Sequence, residues 1–89
     1  MAQVGYLPRA SLALEQFEES APGASELIKS AVLVLGRHPL IGRVVDGTTL
    51  RELVISYGKT GFVALYRFRP KQGMVLVLAV RHQRQAGFP

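Results

Sequence analysis

Downstream of Pro8 the apolar residues Ala10, Ala13, Leu14 and Phe17 recur at spacings of three and four, the rhythm of one helix face. This spacing predicts a first helix over Arg9–Glu19. The run Ser20-Ala21-Pro22-Gly23 then interrupts the pattern, because proline and glycine disfavour helix interiors. A second stripe follows in Ala24, Leu27, Ile28, Ala31 and Leu35, with Gly36 and Pro39 as stop signals. Two helices separated by so short a break are expected to form an antiparallel hairpin.

The second half of the chain changes period. In Arg51–Tyr57 the residues Leu53, Ile55 and Tyr57 alternate with Glu52, Val54 and Ser56, as in a strand with two different faces. Gly58-Lys59-Thr60-Gly61 reads as a turn. Beyond it Phe62, Ala64, Tyr66 and Phe68 alternate with Val63, Leu65, Arg67 and Arg69, which predicts a second strand over Phe62–Arg69. Pro70-Lys71-Gln72-Gly73 carries turn chemistry, and Met74–Val80 is an almost unbroken apolar run expected of a strand covered on both faces. A weaker strand signal lies in Gln3–Leu7, beside Gly5 and Pro8.

The predicted order is β-α-α-β-β-β, an α+β fold in which a helical hairpin covers one face of a small antiparallel sheet. With 89 residues there is interior enough for one core, so residues 1–89 are read as a single domain. No apolar run reaches the ~20 residues that span a bilayer. The start, Met1–Pro8, lacks the basic head and apolar stretch of a secretory signal, so a cytoplasmic location with no membrane partner is expected. The absence of cysteine removes disulfides, thiolate nucleophiles and cysteine zinc sites together. His38 and His82 are the only imidazoles and lie far apart, so neither a metal site nor a cofactor is expected.

Charge is divided unevenly along the chain. Residues 1–36 carry Arg9 and Lys29 against Glu15, Glu18, Glu19 and Glu26, a balance of −2. Residues 37–89 carry nine basic side chains against Asp46 and Glu52, a balance of +7, and no Asp or Glu follows Glu52. A half-chain of one sign attracts polyanions or an acidic protein partner.

Several segments together resemble the ParE branch of the RelE/ParE toxin superfamily. They are His38-Pro39-Leu40-Ile41-Gly42-Arg43, the run Leu50–Ile55, the stretch Tyr57–Arg67 across the Gly58-Lys59-Thr60-Gly61 turn, and the ending Val80–Phe88. The resemblance covers residues 26–88 and implies the RelE/ParE-like helix hairpin on a sheet that periodicity predicts independently. It further implies a type II toxin–antitoxin module of the plasmid-stabilisation type, in which an acidic, partly disordered antitoxin wraps the toxin into a hetero-oligomer.

Two activities are known within the superfamily. Members of the RelE type cleave messenger RNA on the ribosome by attack of a 2′-hydroxyl on the neighbouring phosphate, which needs cations on the phosphate and a group that moves protons. In that case Arg81, His82 and Arg84 would be the catalytic candidates. The position of a phosphate-holding arginine in RelE-like enzymes, however, falls at Val63, and the C-terminal aromatic is Phe88, which has no hydroxyl. Members of the ParE type act on DNA gyrase without a hydrolytic centre of their own. The preferred expectation is therefore a gyrase-inhibiting toxin rather than an enzyme, with Lys59, Arg67, Arg69, Arg81, His82, Arg84 and Phe88 contacting the target or the antitoxin. A third reading is a degenerate toxin that binds only its antitoxin.

Each of these residues also has a plain structural reading. His38 would complement the exposed carbonyls ending the second helix, and Arg67 and Arg69 would project into water from one strand face. Glu52, beside Arg51, would join a surface ion pair of little weight, while Tyr57, Tyr66 and Phe68 would pack against the sheet.

Overall fold

Residues 1–88 are described by the structure, a computed structural model. A short strand, β1 (Gln3–Tyr6), leads into helix α1 (Pro8–Ser20), and α2 (Ala24–Leu33) follows, running out through a 3-10 turn at Val34–Gly36. Strands β2 (Arg43–Val44), β3 (Leu50–Tyr57), β4 (Thr60–Arg69) and β5 (Met74–His82) come next, with a second 3-10 turn at Pro70–Gln72. No helix among the described residues is long and apolar enough to cross a membrane.

Pro8 sits in the first turn of α1, where its missing N–H removes no helical hydrogen bond. The break between the helices is closed by a side chain. The two carboxylate oxygens of Glu18 accept hydrogen bonds from the backbone N–H groups of Gly23 (2.9 Å) and Ser25 (3.0 Å), so α1 caps the start of α2. These bonds, Gly23 first, hold the Glu18 carboxyl below the ordinary glutamate range. A depressed folded value means that the cap stabilises above that range and is lost as falling pH carries the carboxyl through it. Glu18→Gln is therefore expected to flatten the acid limb of the stability–pH curve, measured by thermal melts at stepped pH. An acid limb identical to that of the parent would refute this role.

The sheet runs β1-β5-β4-β3-β2. The meander β3-β4-β5 is antiparallel, as alternation predicts, and the weak N-terminal signal is a real strand. β1 pairs with β5 in the parallel sense, Gln3 beside Met74 and Tyr6 beside Val77, so the sheet is mixed at that edge. β2 lies in the link after α2 and pairs with the start of β3. It is too short for any periodicity to announce it.

Both helices lie on one face of the sheet. Ala10, Ala13 and Leu14 of α1 and Ala24, Ile28 and Val32 of α2 form a buried cluster with Ile55, Phe62, Ala64, Tyr66, Val75, Val77 and Val80. Facing aromatic rings tie the layers together, Phe17 of α1 lying 4.9 Å from Phe62 of β4. The opposite face carries no helix and presents Leu50, Val54, Val63, Leu65, Arg67 and their β5 partners by strand alternation.

One irregularity decides which β5 side chains join which face. Leu65 pairs with Ala79 but Tyr66 pairs with Val77, leaving Leu78 without a partner on β4. This bulge flips the alternation of everything after it. Its carbonyl accepts from Nε of Arg9 (3.1 Å), which ties α1 to β5.

Candidate functional site: two cation groups at opposite ends of the sheet

Alternation after the Leu78 bulge places Arg81 on the outer face, opposite Val63, and His82 on the helix face, opposite Phe62. The Nη1 of Arg81 donates to the carbonyls of His82 (3.2 Å), Gln83 (3.2 Å) and Gln85 (3.0 Å). The guanidinium also lies over the Phe88 ring, 5.1 Å from its centroid. Arg81 thus folds the C-terminal segment back against the sheet end. Among the described residues its Nε and Nη2 carry no hydrogen bond, so one edge of the cation stays available to a partner.

His82 is committed on both ring nitrogens. Its Nδ1 accepts from the backbone N–H of Arg84 (3.1 Å), which leaves Nε2 as the protonated nitrogen facing the Thr60 hydroxyl (3.2 Å). The ring stands edge-on to Phe62 at 5.7 Å. Lys59 and Arg84 are exposed in turns at this same end of the meander.

Arg67 and Arg69 share the outer face but lie toward the other end of β4. Arg67 lies four positions beyond Val63 on this strand, a span of ~13 Å. The cationic candidates therefore fall into two groups, Arg81 with its neighbours at one end and Arg67 with Arg69 at the other. Cations that form a single set along the chain are thus divided by the fold. Arg67 is half-buried, and its Nε is enclosed without any hydrogen-bond partner.

Near this second group the link after α2 is held by two side chains that sequence reasoning did not single out for that task. The buried Tyr66 hydroxyl donates to the carbonyl of Pro39 (2.7 Å) and accepts from the N–H of Gly42 (2.9 Å). Arg51 Nη1 donates to the carbonyls of Leu40 (3.0 Å) and Gly42 (2.8 Å). A Cβ at Gly42 would lie 2.7 Å from the Glu52 carbonyl and from the Tyr66 hydroxyl, so only glycine permits this approach. Desolvation by burial raises the Tyr66 pKa, against the opposing pull of the Gly42 N–H and the Arg51 charge. Glu52 meets Arg43 (3.2 Å) across β2 and β3, not the adjacent Arg51. His38 is exposed at the start of this link.

Solved structures of RelE toxins share this fold. The chain is similar to one in the crystal structure of the intact E. coli RelBE toxin–antitoxin complex, with a TM-score of 0.76, 13% identity, and coverage of 96% of this chain and 100% of that one. It is likewise similar to the isolated E. coli RelE toxin, with a TM-score of 0.76, 12% identity, and coverage of 97% and 88%. The family model for the ParE toxin of the type II toxin–antitoxin system, parDE, matches residues 9–87. The chain belongs to the ParE toxin family. That match takes in α1, which lay outside the resemblance read from the sequence. No curated protein matches the chain.

Proposed function

We propose that this protein is a growth-arresting toxin that acts by binding DNA gyrase and is held inactive by an acidic antitoxin. The observation that carries the target choice is Val63. It faces Arg81 across β4 and β5, is only 2% exposed, and offers no anion-binding group where a nuclease of this superfamily would place a cation. His82 supports the same reading, because both of its nitrogens are engaged within the protein and its ring faces the helix layer. The antitoxin partner is supported by family membership and by the RelBE complex among the structural relatives. The charge division supports it as well, since an acidic segment that folds on binding gains from a preformed cationic surface.

The purified protein is expected to inhibit supercoiling by gyrase at stoichiometric ratio, and His82→Gln is expected to keep that inhibition. Unaltered supercoiling, with codon-spaced cuts in translated messages that vanish in the His82→Gln variant, would establish the ribonuclease reading instead.

A further inference from the structure

The link between α2 and β2 displays large apolar side chains to solvent on a fixed backbone. Leu40 and Ile41 are 59% and 58% exposed, yet the peptide groups around them are held by Tyr66 and Arg51. With Pro39, His38 and the ring of Phe68 they line an open trough of about 500 Å³. Exposed leucine and isoleucine on a loop this well secured are unlike the scattered surface apolar residues of an ordinary monomer. Holding them in place lowers the ordering cost when something covers them.

The second cation group adjoins this trough through Phe68. β3 ends at Leu50, opposite Arg67, while β4 continues through Phe68 and Arg69 paired with β5 alone. The sheet is notched there, and Phe68 also lines a second hollow of about 380 Å³ with Thr49, Arg67, Arg69 and Lys71. No acidic side chain lines either hollow. The enclosed Nε of Arg67 has no hydrogen-bond partner among the described residues, and no carboxylate there forms an ion pair with its guanidinium.

We propose that the trough and the notch together form one docking site for an acidic amphipathic segment of the antitoxin. Its apolar residues cover Leu40, Ile41 and Phe68, and its carboxylates meet Arg67, Arg69 and Lys71. The proposal rests on the reading of the protein as the toxin of an antitoxin pair. Charge complementarity selects the occupant, since residues 37–89 carry +7 and three cations border an apolar floor. A nucleic-acid strand would match the cations but not aliphatic side chains, which give bases no stacking surface beyond the single Phe68 ring.

The test is an amide chemical-shift titration of the whole isotope-labelled protein with three probes: a 20-residue amphipathic leucine–glutamate peptide, its leucine–lysine counterpart, and a 20-nucleotide RNA. The acidic peptide is expected to shift Leu40, Ile41, Phe68 and Arg67 first. Its affinity is expected to fall at least tenfold in Ile41→Ser and in the Arg67→Ala/Arg69→Ala double variant, each checked for folding by the Gly42 amide resonance. Shifts confined to the Arg81–Phe88 end, preferential binding of RNA at the notch, or no binding of the acidic peptide would each overturn the proposal.

Co-expression with the product of the neighbouring reading frame separates this site from the broader reading. A wild-type complex that the variants weaken tenfold supports the site, whereas a complex that survives all three substitutions together sinks the site and leaves the antitoxin reading standing. No complex with the wild-type protein would sink both.

Discussion

Tyr66→Ala is expected to destabilise the protein by about 3–5 kcal/mol, a large share of the ~5–15 kcal/mol that holds a domain of this size folded. The side chain is fully buried, and its removal leaves a cavity between the helix layer and β4. Tyr66→Phe isolates the polar part of that loss. The ring volume is retained, but the Pro39 carbonyl loses its donor and the buried Gly42 N–H loses its acceptor, a cost of about 1–3 kcal/mol.

Urea titrations should show both variants with lower midpoints and an unchanged slope, since the area exposed on unfolding is little altered. In Tyr66→Phe, hydrogen exchange at the Gly42 amide should quicken more than exchange in the helices. A phenylalanine variant as stable as the parent, with Gly42 still protected, would remove Tyr66 as the fastener of the link. The alkaline limb carries the same information. The folded pKa is raised, so its contribution is complete below the ordinary tyrosine range and is lost as rising pH carries the phenol through its elevated value. That limb should be smaller in Tyr66→Phe, leaving the part that Tyr6 contributes, whose pKa burial also raises.

The second large effect is expected at Arg81, and it is local before it is global. Arg81→Ala removes the Nη1 donor shared by the carbonyls of His82, Gln83 and Gln85, together with the contact on Phe88. One charged hydrogen bond and one partly exposed cation–π contact amount to ~2 kcal/mol, or ~30-fold in the local opening constant. Exchange at Gln83–Gly87 should rise by that order, while the β4–β5 amides near Tyr66 and Val77 stay protected. Growth arrest, and with it the gyrase inhibition proposed above, should be lost, because the free edge of the guanidinium and the Phe88 ring leave the surface together. Arg81→Lys keeps the charge but not the planar fork, so it should restore neither the tail nor the activity in full. Full growth arrest by Arg81→Ala would exclude this end of the sheet from the functional surface.

Much of the architecture was legible before any coordinates. Three- and four-residue spacing marked both helices, two-residue alternation marked β3 and β4, and the Pro70–Gly73 turn separated β4 from β5. The aromatic residues read as packing groups do pack: Tyr66 is buried, and Tyr57 and Phe68 lie against the core. The roles of Glu18 and Arg51 were not legible, because each acts on backbone groups brought close only by folding. The same holds for Gly42, whose need for glycine comes from the Glu52 carbonyl and the Tyr66 ring rather than from its own neighbours in sequence.

Apolar periodicity and charge division by themselves determined the helix hairpin, the meander and the cationic second half of this chain. They act over spans of a few residues, which is why a linear reading recovers them. The placement of the cations was decided only in three dimensions. Met74–Val80 is apolar throughout, so nothing in its pattern reveals that Leu78 drops out of register. That one unpaired residue turns Arg81 to the open face and His82 toward the helices, because side chains alternate every residue along a strand and a single insertion reverses all that follow.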